Sequence, residues 1–275
     1  MSIKLEVTDK QQCLNVPMTL LNFPAGESLV RLALPQWKSF SDVYVTVTFN
    51  YEDDKEIIQL MMLMDALRRK VGKCKHITLV MPYFPYARQD RVCYEGEALS
   101  AKVMADIINS LGFDKVVCHD LHSNVSAAVI NNLSEVNQTA CARGLAVKFD
   151  TENTVVVSPD FGATKKTLDF CTVFGFHQFV QAEKRRDVAT GQLSGFKVHS
   201  DHVGNKDFLI MDDILDGGGT FIGLADELKK LTDGKIYLYV THCIATKGVE
   251  IFDGVIDKIY TANQMCADAQ IIESI

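Results

Sequence analysis

The chain has 275 residues, enough for one large domain or two of ordinary size, and enough to bury a real core. Hydrophobic residues make up 47% and charged residues 23%, the balance of a globular protein and not of a disordered or fibrous one. The net charge of −7 sets the surface as a whole against nucleic acid and anionic membrane. Any phosphate site must therefore be a local concentration of Lys and Arg. No stretch reaches the ~18 uninterrupted apolar residues of a membrane span, and MSIKLEVTDK at the start has no apolar leader run. The eight cysteines are scattered, without C-x-x-C pairs or metal spacing, which reads as reduced thiols in a cytoplasmic protein.

In chain order, VYVTVTF (43–49) is a strand pattern, and 53–71 follows as a helix. Asp53 can cap that helix, Glu56 lies three residues on, and apolar residues recur at 57, 60, 61, 64, 67 and 71. Four further apolar runs end in polar residues and lead toward helical pattern: HITLVMP (76–82), KVVCHD (115–120), TVVVSPD (154–160) and DFLIMDD (207–213). Helices are also predicted over 98–111 and 217–231. Continuous β-branched runs alternating with helices make an α/β protein with largely parallel sheets flanked by helices. A boundary near 140–150 divides the chain into 1–145 and 146–275, and the last strand-like pieces, DKIYTAN and AQIIESI, could return toward the first half.

Ligands of open α/β sheets bind beyond the carboxyl ends of the strands. Those ends here carry FPYARQDR, HDLH, SPDFGATKK and DDILDGGGT. In the last of these, the adjacent carboxylates Asp212 and Asp213 can accept hydrogen bonds from a cis-diol or hold part of a metal shell. After Asp216, Gly217, Gly218 and Gly219 let backbone N–H groups face an anion at a helix N-terminus, and Thr220 adds a hydroxyl. The bland alternative is a tight glycine turn that only caps a helix. In MPYFPYARQDR (81–91), Pro82 and Pro85 stop the strand, while Arg88, Gln89, Asp90 and Arg91 offer charge to phosphates and hydrogen bonds to a base edge. As bare chemistry this is a polar loop, for which a solvated ion pair is the plain reading.

The string F-P-Y-A-R-Q-D (84–90) and the glycine turn together resemble the ribose-phosphate pyrophosphokinase family, and the resemblance runs from about residue 20 to about residue 263. It implies two phosphoribosyltransferase-like α/β domains with the active site between them. It also implies transfer of a diphosphate from MgATP to the anomeric hydroxyl of ribose 5-phosphate. By resemblance, Arg88, Gln89, Asp90 and His122 lie on the ATP site, and His122 and Asp160 lie near Mg²⁺. Lys184 and Arg186 of AEKRRD (182–187) belong to a catalytic hairpin. Phe23 and Glu27 of FPAGE reach the adenine of a neighbouring subunit, so a dimer-based homo-oligomer, up to a hexamer, is implied. Asp212, Asp213, Asp216, Gly217, Gly218, Gly219 and Thr220 would take the ribose and its 5′-phosphate.

The chain also departs from the family pattern. Gly217 stands where a Thr is usual, leaving room that could admit a larger 5′-substituted ribose such as ADP-ribose. VCYEGE (92–97) is acidic where the family is basic, and NYEDDKE (50–56) replaces a small polar loop leading into N-D-N. FPAGE carries Ala25 where Asp is usual. A plain phosphoribosyltransferase would need neither F-P-Y-A-R-Q-D nor K-R-R. A non-catalytic regulatory homologue would lose catalytic residues that this chain keeps.

Overall fold

The structure, a computed structural model, describes residues 2–9, 12–33, 42–71, 74–186 and 193–275, with backbone alone at 184–186 and 193–194. It divides into two compact units, Met1–Val136 and Asn137–Ile275.

In the first unit the strands are β1 (Ile3–Thr8), β2 (Cys13–Asn15), β3 (Met18–Asn22), β4 (Ser28–Leu32) and β5 (Tyr44–Phe49). They are followed by α1 (Lys55–Val71), β6 (His76–Val80), α2 (Ser100–Ser110), β7 (Lys115–His119), α3 (Asn124–Val129) and β8 (Leu133–Val136). The main sheet has the order β2-β1-β5-β6-β7-β8, parallel from β5 to β8 and antiparallel on the β1 side. β3 and β4 form a separate antiparallel hairpin.

The capping pattern at 53–56 closes as a reciprocal box. Asp53 Oδ1 accepts from the Lys55 and Glu56 N–H groups at 2.9 and 3.3 Å, and Glu56 Oε2 accepts from Glu52 N–H at 2.8 Å. Helix α1 buries Ile57, Leu60, Leu63, Met64, Leu67 and Val71, the one-sided stripe that a helix of 3.6 residues per turn lays on a sheet. Leu63 takes the inward place expected of Met61. Met61 lies one residue round the helix from Leu60 and is exposed.

The second unit runs α4 (Gln138–Cys141), a 3₁₀ turn (Ala142–Val147), β9 (Thr154–Ser158), α5 (Phe161–Phe174), β10 (Gln178–Arg186) and β11 (Leu193–Val198). It continues with β12 (Asp207–Leu215), α6 (Gly219–Leu228), β13 (Ile236–Cys243), β14 (Lys258–Gln264) and β15 (Ile272–Ser274). The strand order is β11-β10-β9-β12-β13-β14-β15, parallel except for the β10–β11 hairpin. All five residues of β9 are buried, as a strand covered on both faces requires. The C-terminal pieces DKIYTAN and AQIIESI extend this second sheet as β14 and β15, which corrects the expectation that they turn back to the first half. Among the described residues, no helix is long and apolar enough to cross a membrane.

Candidate active site

The first unit gathers its polar residues at the carboxyl ends of β6 and β7. After β6 the backbone stays tied to the sheet: Met81 N–H donates to Val117 O at 2.8 Å, and His119 N–H donates to Pro82 O at 2.9 Å. Phe84, Pro85 and Ala87 are buried, so the loop is anchored apolar side down and Arg88 and Gln89 are left exposed. Tyr86 occupies the left-handed region (φ 65°), and Gln89 N–H closes the turn onto Tyr86 O at 2.9 Å. Helix α2 fixes Gln89 from the other side, with the Ser100 hydroxyl donating to Gln89 Oε1 at 2.5 Å.

Asp90 turns inward, with only 5% of its side chain exposed, and Arg91 Nε donates to it at 2.9 Å. That guanidinium, with a smaller contribution from His122, holds the Asp90 carboxyl below its usual range. Asp90 and Arg91 thus form an ion pair, with His122 near enough to act on the Asp90 carboxyl electrostatically. His122 itself is exposed. It follows a sharp corner at the buried Asp120 (φ 40°), whose N–H bonds to Val136 O at 2.8 Å, while Leu121 N–H bonds to Glu135 Oε1 at 3.0 Å.

Phe23 and Glu27 close the tip of the β3–β4 hairpin. Phe23 N–H donates to Glu27 O, and Gly26 N–H to Phe23 O, both at 2.8 Å, a turn that needs the φ of +92° at Gly26. Both side chains are exposed, Phe23 at 48% despite its size. The strand pair next to this tip, Asn22 and Ser28, is pinned to α1 by the buried Gln59, whose amide donates to Ser28 Oγ at 3.2 Å and Asn22 Oδ1 at 3.4 Å.

In the second unit Asp160 is the N-cap of α5, its Oδ1 accepting from Ala163 N–H at 3.1 Å. Strand β12 continues two residues beyond the predicted end, so Asp212 and Asp213 lie on the strand itself, and Asp212 pairs with Val240 of β13. Asp213 is buried and Asp212 half-buried, and Asp213 N–H donates to Asp212 Oδ1 at 2.9 Å. Burial first, then the Asp213 and Asp160 carboxylates, push the Asp212 carboxyl well above the usual range. Such a pair gains from any ligand that donates hydroxyl hydrogens or brings positive charge.

Beyond the acids, Gly218 (φ +73°) is the N-cap of α6 and is packed tightly: a Cβ there would meet Ile251 Cδ1 at 2.7 Å and Phe252 Cζ at 2.8 Å. A Cβ at Gly219 would meet nothing within 4 Å, and one at Gly217 would meet only Lys247 Cε at 3.8 Å. Thr220 lies in the first turn of α6. Asp216 accepts a hydrogen bond from the Thr246 hydroxyl at 2.6 Å, which ties this turn to the segment after β13. Lys184 and Arg186 lie at the end of β10, with a register shift between Arg185 and Arg186, and their side chains are outside those described.

Sequence reasoning missed Lys247, Thr246 and Asp54. The first two follow β13 at a strand end, the position that marked the other clusters, but with no acid pair or glycine run to flag them. Asp54 accepts hydrogen bonds from Tyr51 at 2.8 Å, three residues away, and from Tyr86 at 2.6 Å, a partner 32 positions on that spacing does not suggest.

The fold is similar to that of a solved phosphoribosylpyrophosphate synthetase from Mycobacterium smegmatis, with a TM-score of 0.78 over 94% of this chain and 86% of the other at 22% identity. Residues 2–112 match the family described as the N-terminal domain of ribose phosphate pyrophosphokinase. A ribose-phosphate pyrophosphokinase of Agrobacterium fabrum is 32% identical over 246 residues, 86% of this chain and 75% of that protein. The chain belongs to the ribose-phosphate pyrophosphokinase family. A second pyrophosphokinase, from Brucella melitensis, is 31% identical over 83% of this chain and 75% of its own length. Membership makes this chain an enzyme and a transferase of the phosphoribosyltransferase-like fold, as the resemblance implied.

The donor set also fits the Mg²⁺ that the family resemblance implies. Mg²⁺ takes one or two protein carboxylates and fills the rest of its shell with phosphate oxygens and water. Asp212, raised first by burial and then by the neighbouring Asp213 and Asp160, is the kind of crowded carboxyl that a divalent cation relieves. Among the described residues no group of three or more His, Cys, Asp or Glu is placed to hold a metal ion by itself.

Proposed function

We propose that this pyrophosphokinase moves the β,γ-diphosphate of MgATP to the 1-hydroxyl of ribose 5-phosphate, giving phosphoribosyl pyrophosphate and AMP. The observation that carries this reading is the acid pair Asp212–Asp213 at the end of β12, followed at once by the glycine turn that opens α6. Two carboxylates suit the 2- and 3-hydroxyls of a ribose, and N–H groups at a helix start suit a 5′-phosphate.

In this reading the 1-hydroxyl attacks the β-phosphorus in line, and the bond to the α-phosphate oxygen breaks. Such chemistry asks the protein mainly for positioning and for neutralisation of charge. Arg88 and Gln89 hold the nucleotide, with Asp90 supporting the segment and His122 beside it. Phe23 and Glu27, displayed at the hairpin tip, serve the adenine across a subunit contact of a homo-oligomer. Lys184 and Arg186 neutralise charge on the transferred group. His122 and Asp160 lie on the Mg²⁺ side, and bound Mg²⁺ would shield the phosphate charge. The place of work is the cytoplasm, where ATP and sugar phosphates are available.

The purified protein is to be mixed with MgATP and either ribose 5-phosphate or ADP-ribose, and followed by ³¹P NMR for AMP and a new diphosphate. Faster turnover of ribose 5-phosphate is expected. A preference for ADP-ribose would mean that the space beside Gly217 has redirected the same chemistry. AMP from neither acceptor would indicate a regulatory homologue, or a plain phosphoribosyltransferase if the protein instead turns over phosphoribosyl pyrophosphate and a base without ATP.

A further inference from the structure

Asp54 lies in NYEDDKE, the segment that departs from the family pattern, immediately before α1. Its Oδ1 accepts the hydroxyls of Tyr86 at 2.6 Å and Tyr51 at 2.8 Å. The Tyr86 bond is in the short range of O–H···O⁻ bonds to an ionised acceptor, and the Tyr51 bond is of ordinary length. The two phenols hold the Asp54 carboxyl below its usual range, Tyr86 more than Tyr51, and in return Asp54 raises the Tyr86 phenol. Tyr51 is braced by ring contacts with Phe49, edge-on at 6.3 Å, and Tyr83 at 6.4 Å. Asp54 is therefore held by the β5 end of the sheet on one side and grips the nucleotide loop on the other.

The residue it grips is a strained one. A bulky side chain in the left-handed region persists only where its surroundings over-determine it. At Tyr86 those constraints are the buried neighbours Pro85 and Ala87, the Gln89 N–H bond to its carbonyl, and the hydroxyl bond to Asp54. That turn aims the exposed Arg88 and Gln89, and Gln89 is already clamped at its far end by Ser100.

We propose that Asp54 is a positioning residue: through the Tyr86 hydroxyl it sets the turn that presents Arg88 and Gln89 to the nucleotide. This rests on the nucleotide reading of residues 84–91. It implies that the chain has replaced part of the family's loop with a carboxylate–tyrosine brace of its own.

The test uses the full chain with Asp54→Ala, Tyr86→Phe, their double variant, Tyr51→Phe and Arg88→Ala, with melting temperature, steady-state kinetics and calorimetric binding of a non-hydrolysable MgATP analogue measured for each. Asp54→Ala and Tyr86→Phe should each raise KM for MgATP and weaken analogue binding about tenfold, the scale of one charge-assisted hydrogen bond. The acceptor KM should stay put, and the double variant should bind no worse than either single one. Tyr51→Phe, which spares the link to Tyr86, should weaken binding less. A Tyr86→Phe protein with lower melting temperature and unchanged analogue binding would overturn the proposal, as would additive losses in the double variant. If Arg88→Ala also leaves analogue binding unchanged, the nucleotide reading itself falls. If only Arg88→Ala weakens binding, the reading stands and the brace alone is refuted.

Discussion

The sharpest test of the glycine turn compares two neighbouring substitutions that geometry separates. In Gly218→Ala the new Cβ would lie 2.7 Å from Ile251 Cδ1 and 2.8 Å from Phe252 Cζ, and Phe252 is fully buried. The residue also keeps φ at +73°, which costs an L side chain about 1–2 kcal/mol. Overpacking adds about 1–3 kcal/mol. The sum, roughly 2–5 kcal/mol, corresponds to a melting temperature lower by roughly 6–15 °C at about 3 °C per kcal/mol. Gly219→Ala meets nothing within 4 Å and lies outside the left-handed region, so its stability should stay within about 0.5 kcal/mol. Its Cβ nevertheless enters the open space at the start of α6, where the acceptor's 5′-phosphate is proposed to sit. Thermal melts and acceptor kinetics on both variants separate packing from binding. Gly218→Ala melting like the parent would refute the crowding argument. Gly219→Ala with an unaltered acceptor KM would refute the anion role of the turn.

Asp212→Asn should stabilise the protein at neutral pH, because it removes a carboxyl that burial, Asp213 and Asp160 together make costly to ionise. The folded state holds this proton more tightly than the unfolded chain, so the contribution is fully present below about pH 3.9 and is lost as pH rises toward the elevated folded value. Melts across pH 4–8 should show the advantage of the Asn variant growing with pH, and parallel curves would refute the assignment. Lys184→Ala should lower kcat at least about a hundredfold with a smaller change in KM for MgATP. Rapid-quench measurement of AMP release checks this, and a near-normal kcat would take Lys184 out of its role. Lys247→Ala should raise the acceptor KM severalfold while leaving the KM for MgATP unchanged, since its Cε stands 3.8 Å from where a Gly217 side chain would begin. Steady-state kinetics with ribose 5-phosphate decides this, and an unchanged acceptor KM would assign Lys247 to solvent.

The parts of the fold legible in the sequence were those in which local pattern and tertiary burial agree. Strand β9 is a run of β-branched residues buried throughout, and β7 stops at His119, where its apolar run gives way to polar residues. The β3–β4 hairpin was not read, because its mixed MTLLN and SLVRL segments lie outside the main sheets with much of their surface exposed. The end of β12 was placed two residues early. Pairing with β13 carries Asp212 and Asp213 inside the strand, a tertiary effect that overrides the polar character of two acids. The bond from Tyr86 to Asp54 spans 32 positions and that from Thr246 to Asp216 spans 30, so neither can be inferred from spacing.

Two kinds of energetic cost meet at one short stretch of the second unit. Asp212 keeps a carboxyl where burial and two neighbouring acids oppose its ionisation, and Gly218 keeps a backbone conformation that a packed Ile251 and Phe252 allow to no other residue. Neither feature helps the sheet to fold. An amide at 212 could still accept the Asp213 N–H without the charge. Local rules broken without structural gain mark sites where chemistry sets the requirement. Here the requirement fits a ligand that presents hydroxyl hydrogens to two carboxylates and an anion to the N–H groups one turn further on. A phosphorylated ribose has both, in that order along its length.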